Sequence, residues 1–310
     1  MVVGIDGSGK RGSRAVRHWT CDAGLWLHEV MTDDFDEVTT RRMRAIEENW
    51  DARTPVHLSS EFYGIGSKDA DDWFAEFEWT DLGELAGRDV LHLQCHLGNE
   101  TAAFAQRGAR VVGVDLSGEA IRQARLIAER CGHDVEYVHA NVYDAAEALV
   151  GRRFDLIYTG KGAIQYLPDL DRWATVLARL LKPGGMVYVI DFHPVHMALG
   201  LLPVADTSTD LVLRYDYLPG RGPRQLDEAH SYTDGPALSG PTVSYEWPHG
   251  LGELITALAG AGLHITALRE LDQLPWPRWS SMVPTDAGWW QMPEDMPRTP
   301  LLYAIRAVWP

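Results

Sequence analysis

Long apolar runs are missing from this sequence of 310 residues. None approaches the roughly 20 consecutive apolar positions that a membrane helix needs. The first twenty positions carry basic residues, but no apolar core follows them as it would in a signal peptide. Cysteine is scarce: Cys21, Cys95 and Cys131 are odd in number and stand at no metal or disulfide spacing, as suits a reducing compartment. Positive charge is also short, with 28 Lys and Arg against 44 Asp and Glu, a formal charge of −16 and a pI of about 5.1. Such a surface repels phosphate backbones unless its basic residues cluster. They do not, because the densest run, Arg41-Arg42-Met43-Arg44, is followed at once by Glu47 and Glu48. The expectation is a soluble, cytoplasmic protein with no nucleic-acid and no membrane partner. Its length allows one large domain or two small ones, and no internal repeat is visible.

The opening MVVGIDGSGKRG has the G-x-x-x-x-G-K spacing of a phosphate loop through Gly4, Gly9 and Lys10. Arg11 stands where a Ser or Thr should hold magnesium, and the following SRAVRHWTCDAG is too short and polar to dock as the helix such a loop requires. Residues 1–30 are therefore expected to form a loosely held arm rather than an ATP site. TDDFDEVTTRRMRAIEENW, beyond it, reads as an N-terminal helix.

From Asp89 a regular alternation begins. DVLHLQ (89–94), RVVGVD (110–115), VEYVHAN (135–141), FDLIYTG (154–160) and GMVYVID (185–191) read as buried strands. Between them, TAAFAQRG is a short helical pattern. EAIRQARLIAERC places Ile121, Ala124, Ile127, Ala128 and Cys131 on one helical face, with Gly132 as its stop. LDRWATVLARLL aligns Leu170, Trp173, Ala174, Leu177 and Leu181, and Lys182-Pro183-Gly184-Gly185 ends it. Strands alternating with helices imply a parallel sheet with helices on both faces, whose ligands lie at the carboxyl ends of the strands. Those ends fall near Gln94–Gly98, Asp115, Asn141, Thr159–Lys161 and Asp191–His193. After His193 the rhythm breaks. DLVLRYDYL (210–218) and TVSYEW (242–247) look β-like, HGLGELITALAGAG (249–262) is helical, and HITALREL (264–271) and LLYAIRAVW (301–309) are strands.

The segment VLHLQCHLG…VVGVDLS resembles motif I of class I S-adenosylmethionine-dependent methyltransferases, written V-L-D-L-G-C-G-x-G followed by V-x-G-x-D. The resemblance continues through HANVYD (139–144), FDLIYTG (154–160) and LKPGGMVYVIDF (181–192), covering about a hundred residues. It implies an α/β fold: a doubly wound, Rossmann-like, seven-stranded sheet with an N-terminal helical lid and an inserted β-rich cap. The corresponding division is an arm (1–30), a lid (31–88), a cofactor-binding core (89–193), a substrate cap (194–248), and a C-terminal part of the core (249–310) with a Trp-rich loop (272–299). The implied cofactor is S-adenosyl-L-methionine.

The residues expected to contact the cofactor are Tyr63, Gln94, His96, Gly98, Asp115, Leu116, Asn141, Val142 and Thr159. Gly98 lets backbone approach the ligand. Asp115 accepts the ribose hydroxyls, and Asn141 faces the adenine amino group. Tyr63 or His57 is placed to close over the site, or simply to pack on the sheet. Three departures stand out: His92 replaces the motif's acid, and Gln94 and His96 replace two of its glycines. The turn is then either differently shaped, or Gln94 and His96 contact the methionine part themselves.

Methyl transfer from a sulfonium is an in-line displacement, and an oxygen or protonated-amine acceptor also needs a base. His193, at the end of the fifth strand, and His249, at the start of a helix, are the candidate catalytic histidines. His196, Tyr166, Tyr245, Trp247 and Trp279 are the candidate substrate-binding residues, suited to an aromatic or amine-bearing small-molecule acceptor, the amine being drawn by cation–π attraction. Asp191, His193 and His196 lack a supporting ligand cluster, so no metal is expected. No Asn- or Asp-Pro-Pro-aromatic motif follows the fourth strand, which speaks against a nucleic-acid acceptor. Two rival readings remain. A nicotinamide oxidoreductase would want G-x-G-x-x-G, which LQCHLGN does not supply. A non-catalytic binding protein on the methyltransferase fold is supported by the altered motif I. The strands within 210–247 are available either to cap the pocket or to pair with a second subunit in a homodimer.

Overall fold

A computed structural model describes residues 34–199 and 212–310, so the expected arm at 1–30 and its phosphate-loop pattern lie outside the described residues. Helices α1 (Glu37–Ser59) and α2 (Glu76–Leu82) precede strand β1 (Asp89–Leu93). The alternation then runs α3 (Asn99–Gln106), β2 (Arg110–Asp115), α4 (Gly118–Cys131), β3 (Val135–His139), α5 (Ala145–Ala148), β4 (Phe154–Thr159), α6 (Leu170–Leu180) and β5 (Leu181–Phe192). After it come α7 (Pro194–Leu199), the strands β6 (Arg224–Asp227) and β7 (Val243–Glu246), α8 (Leu251–Gly260) and β8 (His264–Leu271). The two-residue strands β9 (Gln273–Leu274), β10 (Val283–Pro284) and β11 (Trp290–Gln291), then β12 (Leu302–Val308), complete the order.

The main sheet has the order β3-β2-β1-β4-β5-β12-β8, with β12 antiparallel to both neighbours. The chain winds outward from β1 to β3, then returns to build β4 and β5 on β1's other side. The reversal between β1 and β4 opens a crevice at their carboxyl ends, where ligands of such sheets lie. Alternate residues of each strand feed two cores. Leu91, Val112, Val114 and Ile157 pack under Trp173 of α6, whereas Val90, Val111, Leu156 and Tyr158 pack under Phe104 of α3.

The helices obey local rules. Ser117 caps α4 by accepting from the Ala120 N–H, and Gly132 closes it in the left-handed conformation. Its buried face is Ala120, Ile121, Ala124 and Ala128, while Cys131 is exposed. Asp169 caps α6. The Lys182-Pro183-Gly184-Gly185 stretch is not a loop. β5 starts at Leu181 opposite Phe154 and slips register before Met186 meets Leu156, so a bulge absorbs the proline that cannot donate to the ladder. Gly185 is required there, since a Cβ would stand 2.9 Å from the Phe154 carbonyl oxygen.

Outside the alternation, α1, β7, α8, β8 and β12 form where the sequence pattern expects them, with one exception. The described part of 210–218 forms no strand. The backbone N–H groups of Arg214 and Tyr215 both donate to the Ala198 carbonyl, and Val212, Leu213 and Leu218 face solvent. β7 pairs instead with β6. The Trp-rich loop builds a small sheet, β10-β11-β9, over its own cluster of Leu274, Trp279, Met282 and Trp289. Most of its tryptophans therefore fasten the loop.

Tyr137 of β3 lies across two glycines: a Cβ on Gly113 would meet its ring at 2.7 Å and the Cys95 Sγ at 2.9 Å, and one on Gly98 would meet its hydroxyl at 2.1 Å. Gly113→Ala is expected to cost about 1–3 kcal/mol by overpacking this strand, read as a lowered urea midpoint with an unchanged slope. A midpoint equal to that of the parent would show that Tyr137 can move aside.

Candidate functional site

The turn after β1 carries the first element of the site. Gln94 and His96 adopt φ of 59° and 48°, the left-handed region that a side chain enters at a cost of about 1–2 kcal/mol each. The turn thus takes, at both positions, the left-handed conformation that glycine favours. Four bonds hold it: Cys95 N to Val114 O at 3.0 Å, His96 N to Asp115 Oδ2 at 2.8 Å, Gly98 N to Cys95 O at 2.9 Å, and Gln94 Nε2 to Ala163 O at 2.9 Å. Gly98, left-handed at φ 76°, starts α3, and a Cβ there would run into Tyr137. His92, in place of the motif's acid, is fully buried and bonded to Thr101 Oγ1 at 2.8 Å, and burial pushes its imidazole down to about 3. It is a neutral packing group.

Asp115 ends β2 beside this turn. Its carboxylate accepts from the His96 and Ser117 N–H groups, both at 2.8 Å. Burial raises its pKa to about 6 even though those two donors oppose the shift. A narrow cleft opens next to it, walled by Met43 and Ile46 of α1, by Gln94, Asp115 and Leu116, and by Asn141, Val142 and Tyr166. Asn141 Oδ1 accepts from Tyr143 N at 3.1 Å and keeps a second lone pair. Tyr166, expected to touch substrate, stands in this cleft instead. α1 is anchored over it by Asp51 Oδ1, which accepts from Ser117 Oγ at 2.6 Å and Glu119 N at 3.0 Å.

Among the described residues, four buried polar atoms near the turn, besides His92 Nε2 on β1, have no hydrogen-bond partner: Gln94 Oε1, His96 Nδ1, Asn99 Oδ1 and Thr159 Oγ1. Thr159 pairs with Leu93, directly before the turn. Each unsatisfied atom costs about 1–3 kcal/mol, so a group of them at the end of two strands is a receptor waiting for a donor. Three of the four are oxygens that can accept from an ammonium group. The buried acid, the slot between Ile46 and Val142, and these acceptors together suit a ligand that combines a ribose, a flat ring and an amino acid.

His96 also reaches toward the lid. Its Nε2 lies 2.8 Å from His57 Nδ1, and His57 Nε2 lies 2.6 Å from Ser231 Oγ of the cap. Arg53 extends the chain, with NH1 3.3 Å from Ser231 Oγ and Nε donating to Asn49 Oδ1 at 2.7 Å. Burial lowers His57 to about 2 and His96 to about 3, so both imidazoles are neutral and one must donate to the other. Tyr63 stacks on His57 and bonds to the Tyr232 hydroxyl, not to the cleft. Sequence reasoning singled out His57, His96 and Tyr63 but missed Ser231, Arg53 and Asn49, whose roles depend on contacts across more than 170 residues.

A second cavity, of about 430 Å³, lies across the 164–167 turn from the cleft and is walled by Gln165, Phe192, Tyr215, Arg224, Trp247 and His249, among others. The two candidate catalytic histidines have no free nitrogen there. His193 accepts from Val195 N at Nδ1 (3.1 Å) and faces Glu270 at Nε2 (2.9 Å). His249 faces the Leu167 carbonyl at 2.7 Å and Glu253 at 3.0 Å. Both imidazoles thus have each ring nitrogen engaged by a partner. Asp191 is likewise committed, since its carboxylate accepts from the N–H groups of Gly162, Ala163, Ile164 and Phe192.

Of the candidate substrate residues, Trp247 lines the cavity. His196 is fully buried behind Phe192, with neither ring nitrogen bonded. Trp279 packs edge-on against His196. Tyr245 turns to the opposite side, under Arg42.

Residues 91–187 match a methyltransferase domain family. The ubiquinone biosynthesis O-methyltransferase of Dechloromonas aromatica (strain RCB) is 35% identical over 113 residues, 36% of this chain and 48% of that protein. The enzyme of the same name from Thiobacillus denitrificans (strain ATCC 25259 / T1) is 38% identical over 111 residues, 36% and 47% of the two chains. The match thus spans about half the length of these relatives.

Among solved structures, a Listeria monocytogenes chain described as a candidate S-adenosylmethionine dependent methyltransferase superposes with a TM-score of 0.55 at 20% identity, covering 78% of this chain and all of that one. A Clostridium acetobutylicum S-adenosylmethionine-dependent methyltransferase gives 0.51 at 14% identity, covering 78% and 92%. These two share the fold. With the motif, the strand order and the domain match in agreement, residues 91–187 carry a methyltransferase domain, set in a Rossmann-like, seven-stranded fold that the two solved methyltransferases share.

Proposed function

We propose that the protein transfers a methyl group from S-adenosylmethionine to a small-molecule acceptor by in-line displacement. The observation that carries this reading is the set of unpartnered acceptors at the β1 turn next to the buried Asp115 carboxylate. Asp115 would hold the ribose hydroxyls, with Asn141 and the Leu116–Val142 slot around the adenine. Gln94, Asn99 and Thr159 would take the amino-acid end. When bound, the cofactor supplies an electrophilic methyl carbon on sulfur.

The chain contributes position and exclusion of water. Met43 and Ile46 close the cleft, and the cavity behind Gln165 and Phe192 seats the acceptor. Alignment of this kind is worth up to about 7–11 kcal/mol. The bonds made by His193 and His249 do not support either as the base. The family match ends at residue 187, before the cavity residues Asp191, Phe192 and Arg224, so the acceptor has to be read from the cavity itself.

Calorimetric titration with S-adenosylhomocysteine, with NAD and ATP as controls, tests the reading. Selective binding of the homocysteine compound is expected. No binding by a folded protein would favour a non-catalytic role, and selective NAD binding would favour the oxidoreductase.

A further inference from the structure

In a protein of net charge −16, arginines gather around one cavity. Arg214, Arg221 and Arg224 line it, along with Asp191, Asp216 and Glu246. The acids are already engaged. Asp216 pairs with Arg221 at 3.1 Å, Glu246 pairs with Arg224, and Asp191 is wrapped by backbone N–H groups. What remains is positive: Arg214 at the exposed rim and, behind the lining, Arg278 of the Trp-rich loop, near enough to Tyr215, Arg224 and Glu246 for their charges to act on it.

Arg278 is the unusual one. Its Nε is buried with no partner, and among the described residues its guanidinium makes no ion pair; its contact is with the Trp279 ring, 5.9 Å away. Burial lowers its pKa to about 10, the direction expected of a cation short of a partner. Next to it, His196 is buried with both ring nitrogens unbonded, stacked on Phe192 at 5.1 Å and edge-on to Trp279 at 5.5 Å. The Arg278 Nε is thus buried without a partner beside a neutral imidazole, and the acid whose charge acts on it, Glu246, is already paired with Arg224. A guanidinium without a dedicated acid favours an anion, and its planar fork of donors matches a carboxylate bidentately. The same wall disfavours an amine, because the Arg224 guanidinium already covers the Tyr215 ring at 3.9 Å.

We infer that the acceptor held in this cavity carries a carboxylate next to an apolar, aromatic body, and that Arg214 at the rim, with Arg278 behind the lining, receives the anion. The inference rests on the methyltransfer reading for the word acceptor, but not for the binding itself. Benzoate is the probe, with benzyl alcohol and benzylamine as neutral and cationic controls of similar size. Binding is followed by the fluorescence of the full-length protein, with and without S-adenosylhomocysteine, since Trp247 lines the cavity.

Benzoate is expected to bind at least about tenfold more tightly than either control, and less tightly as salt is raised. Arg278→Gln should weaken it about tenfold or more, Arg278→Lys less, and Arg214→Gln, at an exposed position that leaves the core untouched, a few-fold. Equal binding of benzylamine overturns the inference. So does unchanged benzoate affinity in Arg278→Gln or, should that variant not fold, in Arg214→Gln. Failure of S-adenosylhomocysteine to bind while benzoate binds would count against the methyltransfer reading alone.

Discussion

Asp115→Ala is expected to weaken S-adenosylhomocysteine binding by about 100-fold or more. The estimate is two lost hydrogen bonds to a charged group, each worth about 1.5–3 kcal/mol. The pH dependence makes the expectation more specific. Burial raises Asp115 from 3.8 to about 6, so its folded pKa exceeds its unfolded one. A raised acid contributes stability that is fully present below pH 3.8 and is lost as pH climbs through 6. At about 1.4 kcal/mol per unit, the loss is roughly 3 kcal/mol over that window. Asp191, raised to about 6 by its own burial, acts in the same direction.

Ligand binding runs the other way. Ribose hydroxyls donate, so they select the ionised carboxylate, and S-adenosylhomocysteine affinity should fall roughly tenfold per unit as pH drops below 6. Asp115→Asn should flatten the affinity profile and remove about half of the stability slope, leaving the share due to Asp191. Calorimetry at several pH values, beside urea melts of the free protein, reads both. An affinity independent of pH between 5 and 7 would place the ribose elsewhere.

The parts of this molecule legible in the sequence are those governed by local periodicity. The strand–helix alternation from Asp89 to Asp191, the capping serine of α4 and the acid closing β2 follow from patterns a few residues long, and they bring Gln94, Asp115, Leu116, Asn141 and Val142 to one cleft. What could not be read was fixed by partners far along the chain. Propensity argues against left-handed Gln94 and His96, and the bonds to Ala163, Asp115 and Val114, far along the chain, override it. His193 looked like a free base at a strand end until β8 brought Glu270 to its Nε2. The need for glycine at position 98 has a second source that no local pattern shows, since β3 fills the space beside it with Tyr137. Tryptophan richness marked the loop 272–299 but did not reveal that Trp279 and Trp289 would pack into their own small core.

Lys161→Met should be the most destabilising substitution at the site, at about 3–5 kcal/mol. Lys161 is buried between Glu78, at 3.1 Å with its side chain 0% exposed, and Glu100, at 3.7 Å and 18% exposed. Burial opposes its charge, yet the two carboxylates outweigh that and leave its pKa raised, while burial raises Glu100 in turn. The three are mutually dependent. Without the ammonium, two carboxylates share a low-dielectric space with only Tyr158 Oη, at 3.1 Å from Glu100 Oε1, and the Ala75 N–H, at 3.0 Å from Glu78 Oε1, to solvate them.

Further effects should reach the cleft. Glu78 belongs to α2 and Glu100 to the first turn of α3, which begins where the Gln94–Gly98 turn ends, so slackening this network loosens the strained turn. Chemical denaturation should therefore show a lowered midpoint, and S-adenosylhomocysteine affinity should fall with it. Glu78→Gln added to Lys161→Met should recover part of the stability, since it removes one uncompensated charge while keeping a cap on α2. A double variant no more stable than Lys161→Met would mean that the cost comes from losing the Lys161 ammonium over the Phe74 ring, 5.6 Å away, and not from an uncompensated Glu78.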